Sequence, residues 1–329
     1  MSLSKHYLIS GGAGFIGSHL AELLLQNGHR VTLIDDLSTG SLSNIHALIK
    51  RKEVHFIRSK VSETTDLERY IEECDGIFHL AAAVGVKLII ERPLYSIHNN
   101  LHETECILTL ASKYKKSFLL ASTSEVYGKS AKSRFSESDD LYIGQPALLR
   151  WNYACSKLMD EFMAIASWRE YKTPIVIARL FNIVGPRQSG RYGMVLPRFV
   201  KAALEGSPLS VYGDGTQTRC FCHVADAVQA IALLLEGSPP TGVGEIFNIG
   251  ADSEISIADL ARKVISLTRS KSQIEFIPYE KAYPPGFQDM ARRKPSIDKI
   301  RARINFSPKY SLENIIRDIA HSISCNSIR

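Results

Sequence analysis

Gly11-Gly12-Ala13-Gly14-Phe15-Ile16-Gly17 follows the apolar run Tyr7-Leu8-Ile9 and opens a stretch of helical period from Ser18 to Asn27. A strand that feeds a helix through spaced glycines makes a phosphate cradle. Gly11 permits the tight turn, Gly14 lets the backbone approach a pyrophosphate, Gly17 allows close helix packing, and the helix N-terminus offers N–H donors and positive dipole. Asp35 lies about 20 residues further on, closing the second apolar run Val31-Thr32-Leu33-Ile34. A carboxylate there accepts hydrogen bonds from both ribose hydroxyls and repels a 2′-phosphate, so the stretch predicts NAD rather than NADP. The candidate cofactor residues of this unit are Gly11, Gly14, Phe15, Ile16, Gly17 and Asp35.

Outward from this unit the same rhythm continues. Gly76-Ile77-Phe78-His79-Leu80, Ser117-Phe118-Leu119-Leu120, Pro174-Ile175-Val176-Ile177-Ala178 and Glu245-Ile246-Phe247-Asn248-Ile249 alternate with helical stretches. Continuously apolar strands imply a parallel sheet covered on both faces, hence an α/β protein with a Rossmann-type doubly wound parallel sheet. After about residue 180 the chain loosens into Gly/Pro/Arg-rich stretches such as Gly185-Pro186-Arg187-Gln188 and Tyr283-Pro284-Pro285-Gly286. These suggest a smaller C-terminal α/β lobe that holds the substrate. The expected division is 1–180 for the NAD-binding domain, with 223–250 returning to it, and 181–222 with 251–329 for the lobe.

Composition narrows the class. A chain of 329 residues with 45% hydrophobic content buries a large core, and 40 Lys+Arg against 34 Asp+Glu leaves +6, without the basic runs of a nucleic-acid tail. The six cysteines show no C-x-x-C spacing and the ten histidines no H-x-x-x-H or H-E-x-x-H, so neither a disulfide framework nor a metal site is expected. No apolar run approaches the ~20 residues that span a bilayer, and no cleavable signal precedes Gly11. The expected protein is cytoplasmic, with no membrane or nucleic-acid partner.

Tyr153-Ala154-Cys155-Ser156-Lys157 carries the second constellation, with Thr123 upstream in Ala121-Ser122-Thr123-Ser124-Glu125-Val126-Tyr127-Gly128. Four-residue spacing places Tyr153 and Lys157 on one helix face, where an ammonium lowers a phenol's pKa toward that of a usable base. Such a phenolate takes a hydroxyl proton during an alcohol oxidation. Alone, this spacing also describes a solvated helix face; the glycine unit makes the catalytic reading the better one.

Together these motifs resemble the extended short-chain dehydrogenase/reductases that act on nucleotide sugars, over nearly the whole chain. His79-Leu80-Ala81-Ala82 is similar to the family's strand beside the cofactor and Asn100 to its active-site helix asparagine. The resemblance therefore adds Leu80, Ala81, Ala82, Asn100, Tyr153 and Lys157 to the cofactor contacts. Arg179-Leu180-Phe181-Asn182-Ile183-Val184-Gly185-Pro186 resembles a segment whose Asn meets the substrate diphosphate. Val211 to Arg219 resembles one whose aromatic lies against the base and whose Arg binds phosphate. Asn182, Arg187, Tyr212, Arg219 and Arg293 are the candidate substrate residues. Glu103 and Cys222 depart from the family pattern and are expected to stand outside the chemistry. The stretches Leu101 to Ser112 and Tyr153 to Arg169 resemble a pair that forms a homodimer interface in relatives.

The resemblance implies a shared first step, oxidation at C4 of the sugar, and three sequels: 4-epimerisation, 4,6-dehydration, or loss of CO₂ when C6 is a carboxylate. Thr123-Ser124-Glu125 and the stretch Phe287 to Ile297, with Arg292-Arg293-Lys294-Pro295 inside it, are most similar to UDP-glucuronate decarboxylases, with UDP-hexose 4-epimerases next. The expected catalytic set is thus Thr123, Glu125, Tyr153, Lys157 and Arg293. A β-keto carboxylate loses CO₂ readily, and a guanidinium can orient it or steady the enolate. Arg293 also reads as a diphosphate contact or as part of a surface cluster with Arg292 and Lys294. A dehydrogenase that releases NADH and a non-catalytic NAD sensor are the other readings; a sensor needs no proton-transfer dyad.

Overall fold

The computed structural model describes residues 4–190, 194–237, 239–282 and 290–327. Strand β1 (His6–Ser10) passes through the glycine turn into helix α1 (Phe15–Gln26) and returns as β2 (Arg30–Ile34). The alternation continues through α2 (Leu42–Ile45), β3 (Val54–Ile57), α3 (Leu67–Glu73), β4 (Gly76–His79), α4 (Val86–Glu91), α5 (Pro93–Lys113), β5 (Ser117–Thr123), α6 (Trp151–Tyr171) and β6 (Ile175–Leu180). Pro93 opens α5, where its fixed φ suits the first turn and its missing N–H has no intrahelical partner to lose.

After β6 come β7 (Ile183–Val184), α7 (Val195–Leu204), β8 (Leu209–Tyr212), β9 (Thr218–Cys220), β10 (Cys222–His223), α8 (Val224–Glu236) and β11 (Glu245–Ile249). The chain ends through β12 (Glu254–Ser256), α9 (Ile257–Thr268), β13 (Ile274–Ile277), α10 (Tyr279–Ala282), β14 (Arg292–Arg293), α11 (Asp298–Ile304) and α12 (Leu312–Ser327). The Tyr283–Gly286 stretch and Phe287 to Asp289 lie outside the described residues.

The main sheet is parallel throughout, in the order β11-β6-β5-β4-β1-β2-β3. This is a doubly wound arrangement with an added edge strand, and its order reverses beside β1, where such sheets open a ligand crevice. Strand β1 explains why the runs are continuously apolar. Leu8 points into one core with Ile77, Phe118, Ile107 and Ala164, whereas Tyr7 and Ile9 point into the other with Leu20, Leu24, Ala227 and Ile231. Both faces are covered, so both phases of the two-residue repeat must be apolar.

A third core of Leu196, Phe199, Leu209, Leu260, Ile315 and Ile316 joins α7, α9 and α12. There β8 pairs with β13, and β9 lies between β12 and β14. The β14–β9 register sets Arg293 beside Arg219. Among the described residues, no helix is long and apolar enough to cross a membrane.

Candidate active site

At the C-terminal end of β1, Gly11 takes φ +72°, a conformation that a side chain would strain. A Cβ on Gly17 would lie 2.1 Å from the Gly11 carbonyl oxygen, so only glycine lets α1 begin this close to the turn. Gly14 is the N-cap of α1, extended and without a side-chain cap. The first-turn N–H groups of the helix are thus left for an outside acceptor. The Asp35 carboxylate is held by two backbone amides, Oδ2 accepting from Ala13 (2.9 Å) and Oδ1 from Leu37 (2.8 Å). Burial raises its pKa above the ordinary aspartate value, against the opposing pull of the Leu37 and Ala13 amides.

Behind the turn lies a neutral polar chain. The Ala81 N–H donates to Ser10 Oγ (3.3 Å), which bonds His79 Nδ1 (2.7 Å), while His79 Nε2 meets Thr104 Oγ1 (3.0 Å). Complete burial pulls the His79 imidazole down to about 3, so it stays uncharged. Asn100 works from underneath: its Oδ1 accepts from the Ala83 N–H (2.7 Å) and its Nδ2 donates to Ser156 Oγ (3.2 Å). It braces the segment after β4 and is itself 2% exposed.

These elements form one wall of a cavity of about 420 Å³, to which Gly11, Gly14, Phe15, Ile16, Gly17, Asp35, Leu80, Ala81 and Ala82 all contribute. A recess of about 190 Å³ continues past Asp35 between Ala82, Tyr95, Asn99 and Glu103. An uncapped helix start, glycines where a Cβ would fill the cradle, and a carboxylate fixed by amides fit a dinucleotide. Glu103, set aside in the sequence reading, is buried in this recess. Its Oε1 accepts from Ser62 Oγ (2.6 Å) and its Oε2 from the Ser62 N–H (3.0 Å), so it holds the recess wall in place.

Across the cavity stand Thr123, Glu125, Tyr153, Asn182, Tyr212, Arg219 and Arg293. Thr123 ends β5, and its Oγ1 accepts from the Glu125 N–H (3.2 Å), capping the short 3₁₀ turn Ser124–Tyr127. Tyr153 and Lys157 share one face of α6, but the Lys157 ammonium is bound to Asp160 Oδ2 at 2.8 Å, both groups fully buried. The expected lowering of the phenol is therefore not what the fold produces. Burial raises the Tyr153 pKa, the negative charges of Glu125 and Asp160 add to this, and a hydrogen bond with Thr123 and the charge of Arg293 oppose it.

The distal strands bring remote residues together. Arg293 Nη2 lies 3.3 Å from Glu125 Oε1 and its Nη1 lies 3.5 Å from Asn182 Oδ1. Arg219 is 7% exposed and donates from Nη1 to the Thr218 carbonyl (2.7 Å). Arg187 is not brought in: its Nη2 binds both oxygens of Glu22 at 2.8 Å and its Nη1 reaches Ser18 Oγ, which ties it to the flank of α1.

Two arginines that the sequence reading gave no site role line the cavity, Arg150 and Arg198. Arg198 lies against the Tyr212 ring at 4.3 Å and donates to the Ser210 carbonyl (2.9 Å). The signal was its position, a lone charge in the apolar run Val195-Leu196-Pro197-Arg198-Phe199-Val200. Arg150 directly precedes α6, with Nη2 4.0 Å from Glu125 Oε1. Among the described residues, no group of three or more His, Cys, Asp or Glu could hold a metal ion.

The family model described as the NAD dependent epimerase/dehydratase family matches residues 7–250. The chain is 41% identical over 317 residues to the UDP-N-acetyl-alpha-D-glucosaminuronate decarboxylase of Bacillus cytotoxicus, covering 96% of this chain and 97% of that protein. It is 34% identical to UDP-glucuronic acid decarboxylase 1 of Xenopus tropicalis, covering 96% and 72%. Among solved structures, the UDP-glucuronic acid 4-epimerase from Bacillus cereus, in complex with UDP-glucuronic acid and NAD, superposes with a TM-score of 0.87 at 29% identity, covering 98% of this chain and 99% of that one.

Proposed function

We propose the function of this chain from the fact that it belongs to the NAD dependent epimerase/dehydratase family. It is an NAD-dependent enzyme that modifies a nucleotide sugar, and the reading its site supports best is decarboxylation of a UDP-hexuronate, either UDP-glucuronate or its 2-acetamido counterpart. The observation that carries this reading is the group Glu125, Arg293 and Arg150 beside the Thr123–Tyr153 pair. The Bacillus cytotoxicus and Xenopus relatives support it.

Residues 1–180 with 223–250 hold NAD, through the glycine turn, Asp35 and the segment Leu80–Ala82, while 181–222 and 251–329 hold the nucleotide sugar. When bound, NAD supplies reversible two-electron oxidation at C4 of the sugar. Tyr153, in its phenolate form, takes the C4 hydroxyl proton and later returns it, with Thr123 aligning the ring oxygen. Lys157 and Asp160 form a neutral pair that anchors this stretch of α6. Asn182 and Arg219 bind the diphosphate, since a guanidinium offers it two parallel donors, and Tyr212 lies against the base. With a ketone at C4, the C5–C6 bond breaks, CO₂ leaves, and its electron pair becomes an enolate. Arg293 steadies that charge, and Glu125 is placed to carry the proton that C5 then takes.

The test is incubation of the purified protein with NAD and, separately, UDP-glucuronate, UDP-N-acetylglucosaminuronate, UDP-glucose and GDP-mannose, followed by mass and C4-configuration analysis of the products. CO₂ loss from a uronate alone is the expected result, with almost no reduced nicotinamide accumulating. An unchanged mass with a new C4 epimer would instead establish a 4-epimerase, the reading that the likeness to the Bacillus cereus enzyme favours. Loss of water would make Glu125 a dehydratase base.

The working unit in this proposal is a cytoplasmic homodimer built on α5 and α6. Cys155, Met159 and Phe162 form an exposed apolar stripe at helical spacing on α6, and all six cysteines are free thiols, as a reducing compartment requires.

A further inference from the structure

We infer that Asn248 is a positioning residue for the loss of CO₂: its buried amide holds both the turn that carries Glu125 and the segment that carries Arg293, and so fixes the two side chains against each other. The role rests on the decarboxylase reading above, in which both groups act once the C4 ketone has formed. Asn248 interrupts the apolar run Ile246-Phe247-Asn248-Ile249 of β11 and is fully buried. Phe247 and Ile249 point into the core with Leu20 and Ile231, so the two-residue repeat turns Asn248 to the opposite face, toward Tyr127 and Phe135. A buried amide is costly unless its polar atoms find partners. Here Oδ1 accepts from the Tyr127 hydroxyl (2.8 Å), and Nδ2 donates to the carbonyls of Phe135 (3.0 Å) and Ser296 (3.2 Å). The backbone N–H of Asn248, on the outer edge of the sheet, donates to Glu137 Oε1 (2.8 Å).

Each partner stands close to the chemistry. Tyr127 closes the 3₁₀ turn two residues after Glu125, and Ser296 follows β14 three residues after Arg293. Phe135 joins the two segments as a strand would, its N–H donating to the Lys294 carbonyl (2.8 Å) and its carbonyl accepting from the Ser296 N–H (2.7 Å). Asn248 thus grips both sides of the joint whose outcome is the 3.3 Å approach of Arg293 Nη2 to Glu125 Oε1. It does not itself line the cavity, so it acts on a bound sugar only through these segments. Among the described residues its side chain bonds neither the glycine turn nor α6, which carry the cofactor contacts and Tyr153. Loosening the joint should therefore slow the breaking of the C5–C6 bond and spare the oxidation at C4 that precedes it. In the intact enzyme the two steps keep pace; without Asn248 the first should run ahead of the second.

The test is rapid mixing of NAD-loaded protein with UDP-glucuronate and, separately, UDP-N-acetylglucosaminuronate, following released CO₂ and the absorbance of reduced nicotinamide together. Asn248→Ala is expected to slow CO₂ release by about ten- to a hundredfold, the range for reacting groups displaced by about an ångström, while reduced nicotinamide, almost absent in the wild type, builds up with the keto acid. Tyr127→Phe, which takes one hydroxyl from the same amide and keeps the ring, should give the same pattern in smaller measure. Slower CO₂ release with no build-up of reduced nicotinamide would overturn the inference, because a merely structural role disturbs oxidation and CO₂ loss alike. CO₂ release from Asn248→Ala at the wild-type rate would overturn it too, with the decarboxylase reading left standing. If the Ala variant does not fold, the pattern in Tyr127→Phe decides in the same way. Wild-type protein that releases no CO₂ from either uronate would remove the proposed reaction and this role with it.

Discussion

Asp35 is pulled in two directions, and the linkage between them can be measured. Burial raises its pKa, so the fold favours the protonated form; that contribution to stability is present below the unfolded value and lost as pH rises through the folded one. Accepting from ribose hydroxyls needs the opposite, charged form. Acidification from neutral pH should therefore weaken NAD binding sooner than for an ordinary aspartate, a trend visible in titrations of NAD against pH. Asp35→Asn should weaken NAD by about tenfold or more and flatten the trend. Tyr153→Phe should lower kcat by about 10²- to 10⁴-fold with NAD affinity retained. Because the phenol is held above its ordinary value, wild-type activity should climb with pH through the neutral range; a profile flat there would remove Tyr153 as the proton acceptor.

The end of strand β5 is held by a buried charged group of which only Ser122 reaches the cavity wall. Arg179 on β6 donates from Nε to Glu161 Oε1 (2.9 Å) and from Nη2 to Oε2 (2.7 Å), with Ser122 Oγ donating to the same carboxylate and the Tyr127 ring 4.8 Å from the guanidinium. The group ties α6 to β6 and, through Ser122, to the end of β5 next to Thr123. Removing one partner leaves a buried charge, so Arg179→Met should cost about 3–5 kcal/mol in denaturant unfolding and disturb the Thr123–Tyr153 alignment. A loss under about 1 kcal/mol would mean that the pair is not essential to the joint. The helices also outrun their sequence expectations: α5 spans Pro93–Lys113 against Leu101 to Ser112, and α6 Trp151–Tyr171 against Tyr153 to Arg169. Their added turns carry polar residues such as His98 and Asn152, which blur the apolar period at each helix start.

For the whole molecule, the exposed stripe Cys155, Met159 and Phe162 is the feature least at home in a monomer. Phe162 is 62% exposed, and Phe162→Glu should turn a sedimenting dimer into a monomer at micromolar concentration. Wild-type protein that already sediments as a monomer would remove the dimer from the proposal. The cofactor half of the molecule was legible in sequence because its parts are local. The turn, the helix start and Asp35 fall within about 30 residues, the span of one βαβ unit, and each is dictated by backbone geometry. The alternating runs determined the parallel sheet for the same reason, since burial on both faces leaves its mark on every position. Tertiary structure alone decided which charges meet. Glu125 and Arg293 are 168 residues apart, Arg187 is drawn away to Glu22, and Glu103 into the wall of the recess. An ion pair leaves no period in sequence, because its partners need only converge in space and its energy depends on a burial that exists only after the chain has folded.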